Sequence, residues 1–302
     1  MGDAAAARSK ERWRLGTRRK LTVAGRGVTV ASLAAFVLVG CASLGYAPQS
    51  ESDNPLYAAS QSNLMSLSEV IAKHPDDPQA YNMRGSAFGE AGEGAQALAD
   101  FDKAISLDPR YAQAYANRAL LYRQSGKFKL ALADYNKALL IDPAYAPGYL
   151  GRGIVYRLNG RSLLALADFN KAIALKPDGA QAYYDRGLLY QGQHQHQFAI
   201  DDFTTAIALA PQKGEPYVAR ALSYLAVGDA KSAASDLDQA VQIEPQSVQA
   251  WTSRGLAYER LGQQEKAAGS YAKALNLNDK YQVARAGFAR VGGKIGQAYR
   301  TF

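Results

Sequence analysis

Few side chains in this sequence are candidates for catalysis or metal binding, and the histidines are the first to consider. The 302 residues contain three histidines and one cysteine, and only His194 and His196 lie close together. Zinc sites in proteins use three or four protein ligands, so a solvated turn is the simpler interpretation of this pair. The sequence also shows no nucleophile–base pair, no carboxylate dyad and no glycine-rich phosphate loop. It therefore predicts a protein that is not an enzyme and that needs no metal or cofactor.

The single cysteine, Cys41, ends an apolar segment that follows a basic leader. Eight Lys or Arg side chains lie between Arg8 and Arg26, and a run of twelve largely apolar residues extends from Val28 to Val39. Twelve residues are too few to cross a bilayer core of about 30 Å as a helix, but they suit the central segment of a signal peptide. The small residue Gly40 then precedes the thiol, which is a nucleophile able to carry a diacylglycerol thioether.

The segment Leu38-Val39-Gly40-Cys41 resembles the lipobox of bacterial lipoproteins. This resemblance implies that residues 1–40 are a signal peptide and that Cys41 carries a lipid anchor on the membrane. Ala42, in place of the aspartate that retains such proteins at the inner membrane, implies the outer membrane facing the periplasm. Thr17 to Leu21 also resembles a twin-arginine export signal. The alternative is an ordinary apolar segment that contains a buried cysteine.

The positive charge of the chain is concentrated at its N-terminus. The formal net charge is +8, and residues 1–41 carry +6 of it. The remainder is nearly neutral, so it lacks the excess of positive charge with which proteins bind a phosphate backbone. The sequence therefore predicts no nucleic acid among the partners.

A 34-residue pattern recurs six times between Pro78 and Tyr281. Its eighth position is always Gly or Ala, and its twentieth and twenty-seventh positions are always alanine, as at Gly153, Ala165 and Ala172 in the third copy. Apolar and aromatic residues recur at steps of three and four, which indicates helices. In most copies a glycine follows the first helical stretch and a proline follows the second, so each copy is predicted to form two helices. A fixed period of this length is typical of a solenoid.

The pattern resembles the tetratricopeptide repeat family, whose anchor positions it matches almost throughout. The resemblance implies an all-α, right-handed α-α superhelical solenoid of six helix pairs with N- and C-terminal capping helices. The predicted repeats span residues 78–111, 112–145, 146–179, 180–213, 214–247 and 248–281. The flanking segments are a lipidated cysteine and flexible tether (41–55), an N-terminal capping helix (56–75) and a C-terminal capping helix with its tail (282–302). Asp279 replaces the closing proline of the sixth copy, and His194 replaces the turn glycine of the fourth.

Two columns of opposite charge run through the repeats. Position 7 is always arginine, and position 23 is aspartate in every copy except the last, which has Ser270. The predicted charge ladder is Arg84, Asp100, Arg118, Asp134, Arg152, Asp168, Arg186, Asp202, Arg220, Asp236 and Arg254. We expect arginine–aspartate pairs that join helices within or between repeats. The alternative is an arginine ladder that binds an anionic polymer.

The family resemblance implies a concave surface lined by the first helix of each repeat. The side chains predicted to face it are Leu120, Arg123, Leu150, Ile154, Arg157, Tyr184, Leu188, Gln191, Val218, Leu222 and Leu256. An apolar floor with basic residues near its middle is typical of a binding surface. Position 9 of the repeats forms an almost unbroken apolar row, namely Ser86, Leu120, Ile154, Leu188, Leu222 and Leu256. The alternative is that this row packs against a neighbouring helix or the chain's own N-terminal segment. Of the residues with which some family members grip a C-terminal carboxylate, only Asn117 is present.

Lipobox, tether and repeats together resemble the NlpI-type lipoproteins, which act as adaptors for envelope enzymes. This resemblance implies a non-enzymatic scaffold that is lipid-anchored in the bacterial envelope and binds a protein or peptide partner in its groove. The alternative is a self-associating envelope component, such as a homodimer, that uses the same apolar row as its interface.

Overall fold

The computed structural model describes residues 55–294 and residue 299. The predicted signal peptide, Cys41 and most of the tether therefore lie outside the described residues, as does most of the C-terminal tail. The described part contains fourteen α-helices and no strand. The helices are α1 (Pro55–Lys73), α2 (Pro78–Glu90), α3 (Gly94–Leu107), α4 (Ala112–Gln124), α5 (Phe128–Ile141), α6 (Ala146–Leu158), α7 (Ser162–Leu175), α8 (Ala180–Gly192), α9 (His196–Leu209), α10 (Glu215–Ala226), α11 (Ala230–Ile243), α12 (Val248–Arg260), α13 (Gln264–Leu277) and α14 (Gln282–Arg290).

The helices pack consecutively in pairs, and the predicted all-helical solenoid is confirmed. The even-numbered helices from α2 to α12 are the first helices of the six pairs, and each of them also contacts the next even-numbered helix, up to α14. In the described part no two odd-numbered helices contact each other. The even-numbered helices are therefore closer together, so they form the inner layer of a curved array and the odd-numbered helices form the outer layer.

Small residues allow the two helices of each pair to approach closely. The alanines at positions 20 and 27 are between 0% and 3% exposed in all six repeats. A Cβ added at Gly153 would lie 2.7 Å from Cε1 of Phe169, and Phe169 itself is fully buried. The aromatic ring at position 24 therefore occupies the space that glycine leaves open at position 8, as it does in four of the six repeats.

Left-handed turns end the first helix of each repeat. Five of these turns have glycine with φ between 69° and 88°, at Gly92, Gly126, Gly160, Gly228 and Gly262. The fourth turn has His194 at φ 59°. A residue with a side chain pays a steric cost in this region, so the same turn forms here against a local preference.

The sixth repeat ends without the expected proline. Asn278 accepts a hydrogen bond from the backbone N–H of Lys280 at 3.0 Å, and α13 stops at Leu277. Asp108 and Asp142 make the same local turn after α3 and α5, in repeats that keep their proline. The side-chain turn is therefore enough to end this helix.

Both ends of the described array carry an additional helix. On α1, Leu64, Leu67 and Ile71 are buried, whereas Val70 is 41% exposed. At the other end, α14 buries Ala284 and Phe288 and leaves Val283 exposed. Arg290 of α14 also donates two hydrogen bonds to Glu259 of α12, and this ion pair lowers the pKa of Glu259. Each terminal helix thus covers apolar surface of the adjoining repeat.

The position-7 arginines connect helices both within and between repeats. In the first five repeats, Nε and Nη2 donate to the two oxygens of the position-23 aspartate at 2.7–2.8 Å. Nη1 donates to a residue of the preceding odd-numbered helix, for example Asn136 for Arg152 at 2.7 Å and Ser68 of α1 for Arg84 at 3.1 Å. The guanidinium of Arg152 also lies between the rings of Tyr149 and Tyr156, 5.5 and 5.9 Å from their centroids. Each arginine therefore links three helices.

The last arginine has different partners because its own repeat lacks the aspartate. Arg254 is 3% exposed, and its Nε donates to Asp238 of the preceding repeat at 2.7 Å. Its Nη1 donates to Ser270 at 2.8 Å, where the other repeats have the carboxylate. Asp238 was not part of the predicted ladder, although it stands at position 25, which supplies the between-repeat partner in every earlier copy.

Candidate binding groove

A cavity of about 360 Å³ lies on the inner layer, between α4, α5, α6 and α8. It brings together five residues that the sequence assigned to the groove, namely Leu120, Arg123, Leu150, Ile154 and Arg157. The remaining lining residues are Ala116, Asn117, Tyr135, Tyr145, Pro147, Gly151, Gln181 and Asp185. Some of the residues predicted to face the concave surface therefore line one localised pocket, which is built from the second, third and fourth repeats.

Small residues in the inner helices make room for this pocket and its two tyrosines. A Cβ added at Gly151 would lie within 2.5 Å of the Tyr135 ring and its hydroxyl. Burial raises the pKa of Tyr135, and burial also raises the pKa of Tyr145. Both phenols therefore stay protonated and can donate a hydrogen bond to a bound group at physiological pH.

The polar end of the pocket contains two guanidinium groups and one carboxylate. Arg157 Nη2 donates to Oδ1 of Asp185 at 3.1 Å, and Gln181 Nε2 donates to Oδ2 at 2.8 Å. Asp185 is 3% exposed, and its burial raises the pKa of the carboxyl group. The Nε atoms of Arg123 and Arg157 are buried without a hydrogen-bond partner. This end therefore has more positive than negative charge and unused donor capacity.

The sequence missed Tyr135, Tyr145, Gln181 and Asp185 as pocket residues. The first two lie outside the inner-facing positions of the first helices, so only the packing of the helices reveals them. A signal for Asp185 was present, because position 6 is uncharged in the other five copies. An acidic residue in such a column is unusual and indicates a local polar partner.

Other predicted groove residues have structural partners. Val218 is 6% exposed and belongs to a core cluster with Ala221 and Trp251, so it offers little surface to a groove. The amide of Gln191 donates to Ala219 O at 2.9 Å and to Ser223 Oγ at 2.8 Å. These bonds tie α8 to α10, so the amide serves packing between repeats.

The apolar members outside the pocket are half-buried. Tyr184 lies 5.8 Å from Phe203, centroid to centroid, and burial raises its pKa to about 12. Leu188 packs against the same cluster, and Leu222 packs against the larger cluster of the last two repeats. Leu256 is half-buried as well. Packing against neighbouring helices, the alternative for position 9, thus accounts for part of the surface of this row.

The amide of Asn117 is also engaged. It donates to Asn82 Oδ1 at 3.0 Å and to Ser86 Oγ at 3.3 Å, while the Asn82 amide donates to the hydroxyl of Tyr111. This network joins α2 to α4. The pocket chemistry of the described residues therefore rests on the arginines, the tyrosines and the leucine–isoleucine floor.

The described residues offer no group of three metal-ligating side chains. The rings of His194 and His196 lie 6.0 Å apart, and burial lowers the pKa of His196. Among the same residues, no helix is long and apolar enough to cross a membrane.

Comparisons with known proteins agree on the repeat. Sequence profiles described as "Tetratricopeptide repeat" match residues 78–111, 112–145, 150–213 and 218–284. No curated protein matches the chain. The "APC/C hetero-tetramer Cut9-Hcn1" has a similar fold, with a TM-score of 0.68 at 18% identity over 76% of this chain. The match covers 45% of the Cut9–Hcn1 chain, so this protein spans less than half of that length.

Two smaller solved structures are covered almost completely. PilF of Pseudomonas aeruginosa has a TM-score of 0.64 at 20% identity, over 70% of this chain and 97% of its own. YrrB, described as a tetratricopeptide repeat protein "with an unusual peptide-binding site", has a TM-score of 0.51 at 25% identity. That match covers 62% of this chain and 96% of YrrB. At these identities, Cut9–Hcn1 and PilF show the fold alone.

Proposed function

This chain belongs to the tetratricopeptide repeat family, and we propose that it is a non-enzymatic scaffold that binds an acidic segment of a protein partner in its groove. Domains of this family typically bind proteins or peptides. The observation that carries the proposal is the pocket formed by α4, α5, α6 and α8. YrrB, whose description includes peptide binding, supports the same class of ligand.

The chemistry of the pocket favours a ligand with both apolar and acidic groups. Leu120, Leu150 and Ile154 supply apolar surface, and Leu120 is 37% exposed. Arg123 and Arg157 have a single carboxylate between them, that of Asp185. A carboxylate on the partner would supply the missing negative charge and accept hydrogen bonds from the guanidinium groups. An extended segment that alternates apolar and acidic side chains fits this arrangement.

We expect Leu120→Asp to reduce capture of the partner by at least about tenfold, which corresponds to about 1.4 kcal/mol of binding free energy. The added carboxylate would neutralise the neighbouring arginines and remove apolar contact area. Leu120 is partly exposed already, so the substitution should leave the fold intact. The measurement is a quantitative pull-down with the full chain from detergent-solubilised membranes, with helicity checked by circular dichroism.

Leu140→Asp provides the matched control, because Leu140 is 75% exposed and does not line the pocket. The control variant should capture the same proteins as the unaltered chain. If Leu120→Asp captures them equally well, the pocket is not the binding site.

The proposed location is the bacterial envelope, with the protein anchored through Cys41 and facing the periplasm, most simply at the outer membrane. The support is the sequence Leu38-Val39-Gly40-Cys41 after a basic leader and an apolar run. An adaptor role like that of the NlpI-type lipoproteins follows from this anchor combined with the groove. The groove would then recruit soluble partners to the membrane surface.

We expect Cys41→Ser to prevent lipid attachment, because serine lacks the thiol on which the thioether forms. Mass spectrometry of the protein from the membrane fraction should show a diacylglycerol adduct on Cys41 and none on the variant. Carbonate-washed membranes should retain the unaltered protein and lose the processed variant. Retention of both in equal amounts would contradict the anchor.

A further inference from the structure

Three of the turns between paired helices lie side by side along one edge of the array. They follow α4, α6 and α8, which pack against each other in order and run in the same direction. Their C-terminal ends, and the turns that follow, therefore line the same edge, about 10 Å apart from one repeat to the next. We call residues 124–130, 158–164 and 192–198 the basic edge.

The basic edge concentrates exposed apolar side chains. Thirteen large apolar side chains are well exposed in residues 63–294, and five of them belong to these three short segments. They are Leu130 (49% exposed), Leu158 (48%), Leu163 (83%), Leu164 (47%) and Phe198 (59%). Single exposed apolar residues are ordinary, but a cluster on one edge indicates a contact surface.

The lysine and arginine side chains of these three segments are not accompanied by any acidic side chain. Lys127, Lys129 and Arg161 are exposed, and the three segments contain no Asp or Glu. The equivalent turn of the first repeat carries Glu90 and Glu93 instead, and that of the fifth repeat carries Asp229 beside Lys231, so its formal charges cancel. Within the first five repeats, an excess of positive charge therefore occurs only in the turns of the second and third repeats, which also carry four of the five exposed apolar side chains.

We propose that the basic edge binds the surface of a bilayer that contains anionic lipids. Apolar side chains interleaved with lysine and arginine are the combination that lies in the headgroup region, because the former enter the acyl boundary while the latter contact lipid phosphates. A second copy of the chain is a poorer occupant. Pairing through the same edge would oppose three cations with three cations and provide no acid on either side.

The length of the N-terminal segment is compatible with this contact. Thirteen residues separate Cys41 from α1, and an extended chain of that length reaches at most about 45 Å. An anchor at Cys41 would hold the repeats near the bilayer and raise the local concentration of lipid around the basic edge. The anchor strengthens the contact, but the inference does not depend on it or on the groove.

A position-specific fluorescent label tests the proposal on the full chain. In a Cys41→Ser background, Leu163→Cys is labelled with an environment-sensitive dye, and Ala144→Cys serves as the matched control. Ala144 is exposed in the turn between α5 and α6, at the opposite edge. The probes are vesicles of phosphatidylethanolamine and phosphatidylglycerol, and vesicles of phosphatidylcholine alone, each with brominated acyl chains as quencher.

We expect the label at residue 163, and not the label at residue 144, to shift to shorter wavelength and be quenched in the anionic vesicles. The effect should fall severalfold in phosphatidylcholine vesicles and when Lys127, Lys129 and Arg161 are all replaced by glutamine.

Equal responses of the two labels would overturn the proposal, because the N-terminal segment alone could hold the chain on the vesicle. No response at residue 163 in anionic vesicles, or a full response without lipid, would also overturn it, the latter in favour of a protein contact. Lipid analysis at Cys41 and the Leu120→Asp pull-down are separate readouts, so failure here is distinguishable from failure of the proposed function.

Discussion

Replacement of Asp168 by alanine should lower the free energy of unfolding by about 3–5 kcal/mol, the usual cost of leaving one member of a buried ion pair without its partner. Asp168 is 5% exposed and accepts two hydrogen bonds of 2.8 Å from Arg152. Without it, the guanidinium stays between two tyrosine rings with only Asn136 as an acceptor. Urea denaturation followed by circular dichroism measures the loss.

Two companion variants identify the cause of that loss. Asn136→Ala removes only the exposed between-repeat hydrogen bond of Arg152, so we expect a cost of about 0.5–1.5 kcal/mol. Arg152→Met combined with Asp168→Ala removes the unpaired charge and should be more stable than Asp168→Ala alone. If the double variant is less stable than the single variant, the penalty does not come from an unpaired arginine.

Replacement of Phe169 by alanine should cost about 3–5 kcal/mol, because it opens a cavity between α6 and α7. Phe169 is 0% exposed, and its ring lies against the backbone of Gly153 and packs with Leu189 of the next repeat. Neighbouring helices are held by the ladder and cannot collapse freely into the space. Thermal and urea unfolding should both report the change.

Phe198→Ala is the matched control, because Phe198 is 59% exposed and contacts only the ring of Tyr190 among the aromatic residues of the described part. Its replacement should change stability by no more than about 1 kcal/mol. A further test combines Gly153→Ala with Phe169→Leu, which recreates the Ala221–Leu237 pair of the fifth repeat. The pair should be more stable than the sum of the two single changes predicts, since the added methyl group occupies part of the space vacated by the ring. Simple additivity would show that these two side chains do not share one space.

The ladder shows how far a repeated column can be interpreted. Arginine at position 7 and aspartate at position 23 indicated pairing, but the sequence left open whether the pairs lie within or between repeats. The structure has both kinds of bond, since a guanidinium has donors in several directions and one aspartate uses only two of them. In the sixth repeat Ser270 accepts a hydrogen bond at the place of the missing aspartate, and Asp238 of the preceding repeat supplies the carboxylate that pairs with Arg254.

In the groove, the position of a residue within the repeat did not predict whether its side chain is accessible. Leu150 and Val218 occupy the same repeat position, yet Leu150 lines the pocket and Val218 is buried in the core of the last two repeats. Gln191 occupies the same position as Arg123 and Arg157, but Ser223 and the Ala219 carbonyl hold its amide. The column fixes which way a side chain points, whereas the adjoining repeat decides whether it remains accessible.

The helix pairs, their contacts through small residues and the charged columns could all be predicted from the amino-acid sequence. These features depend on residues a fixed distance apart within one repeat or between identical neighbours, so periodicity carries them. The folded array was needed to show where the pocket lies, which arginines have unused donors, and which exposed leucines share an edge with three cations. Those properties depend on side chains from helices that are distant in sequence and differ between repeats, such as Tyr135, Ile154 and Asp185, which become neighbours only when the repeats stack.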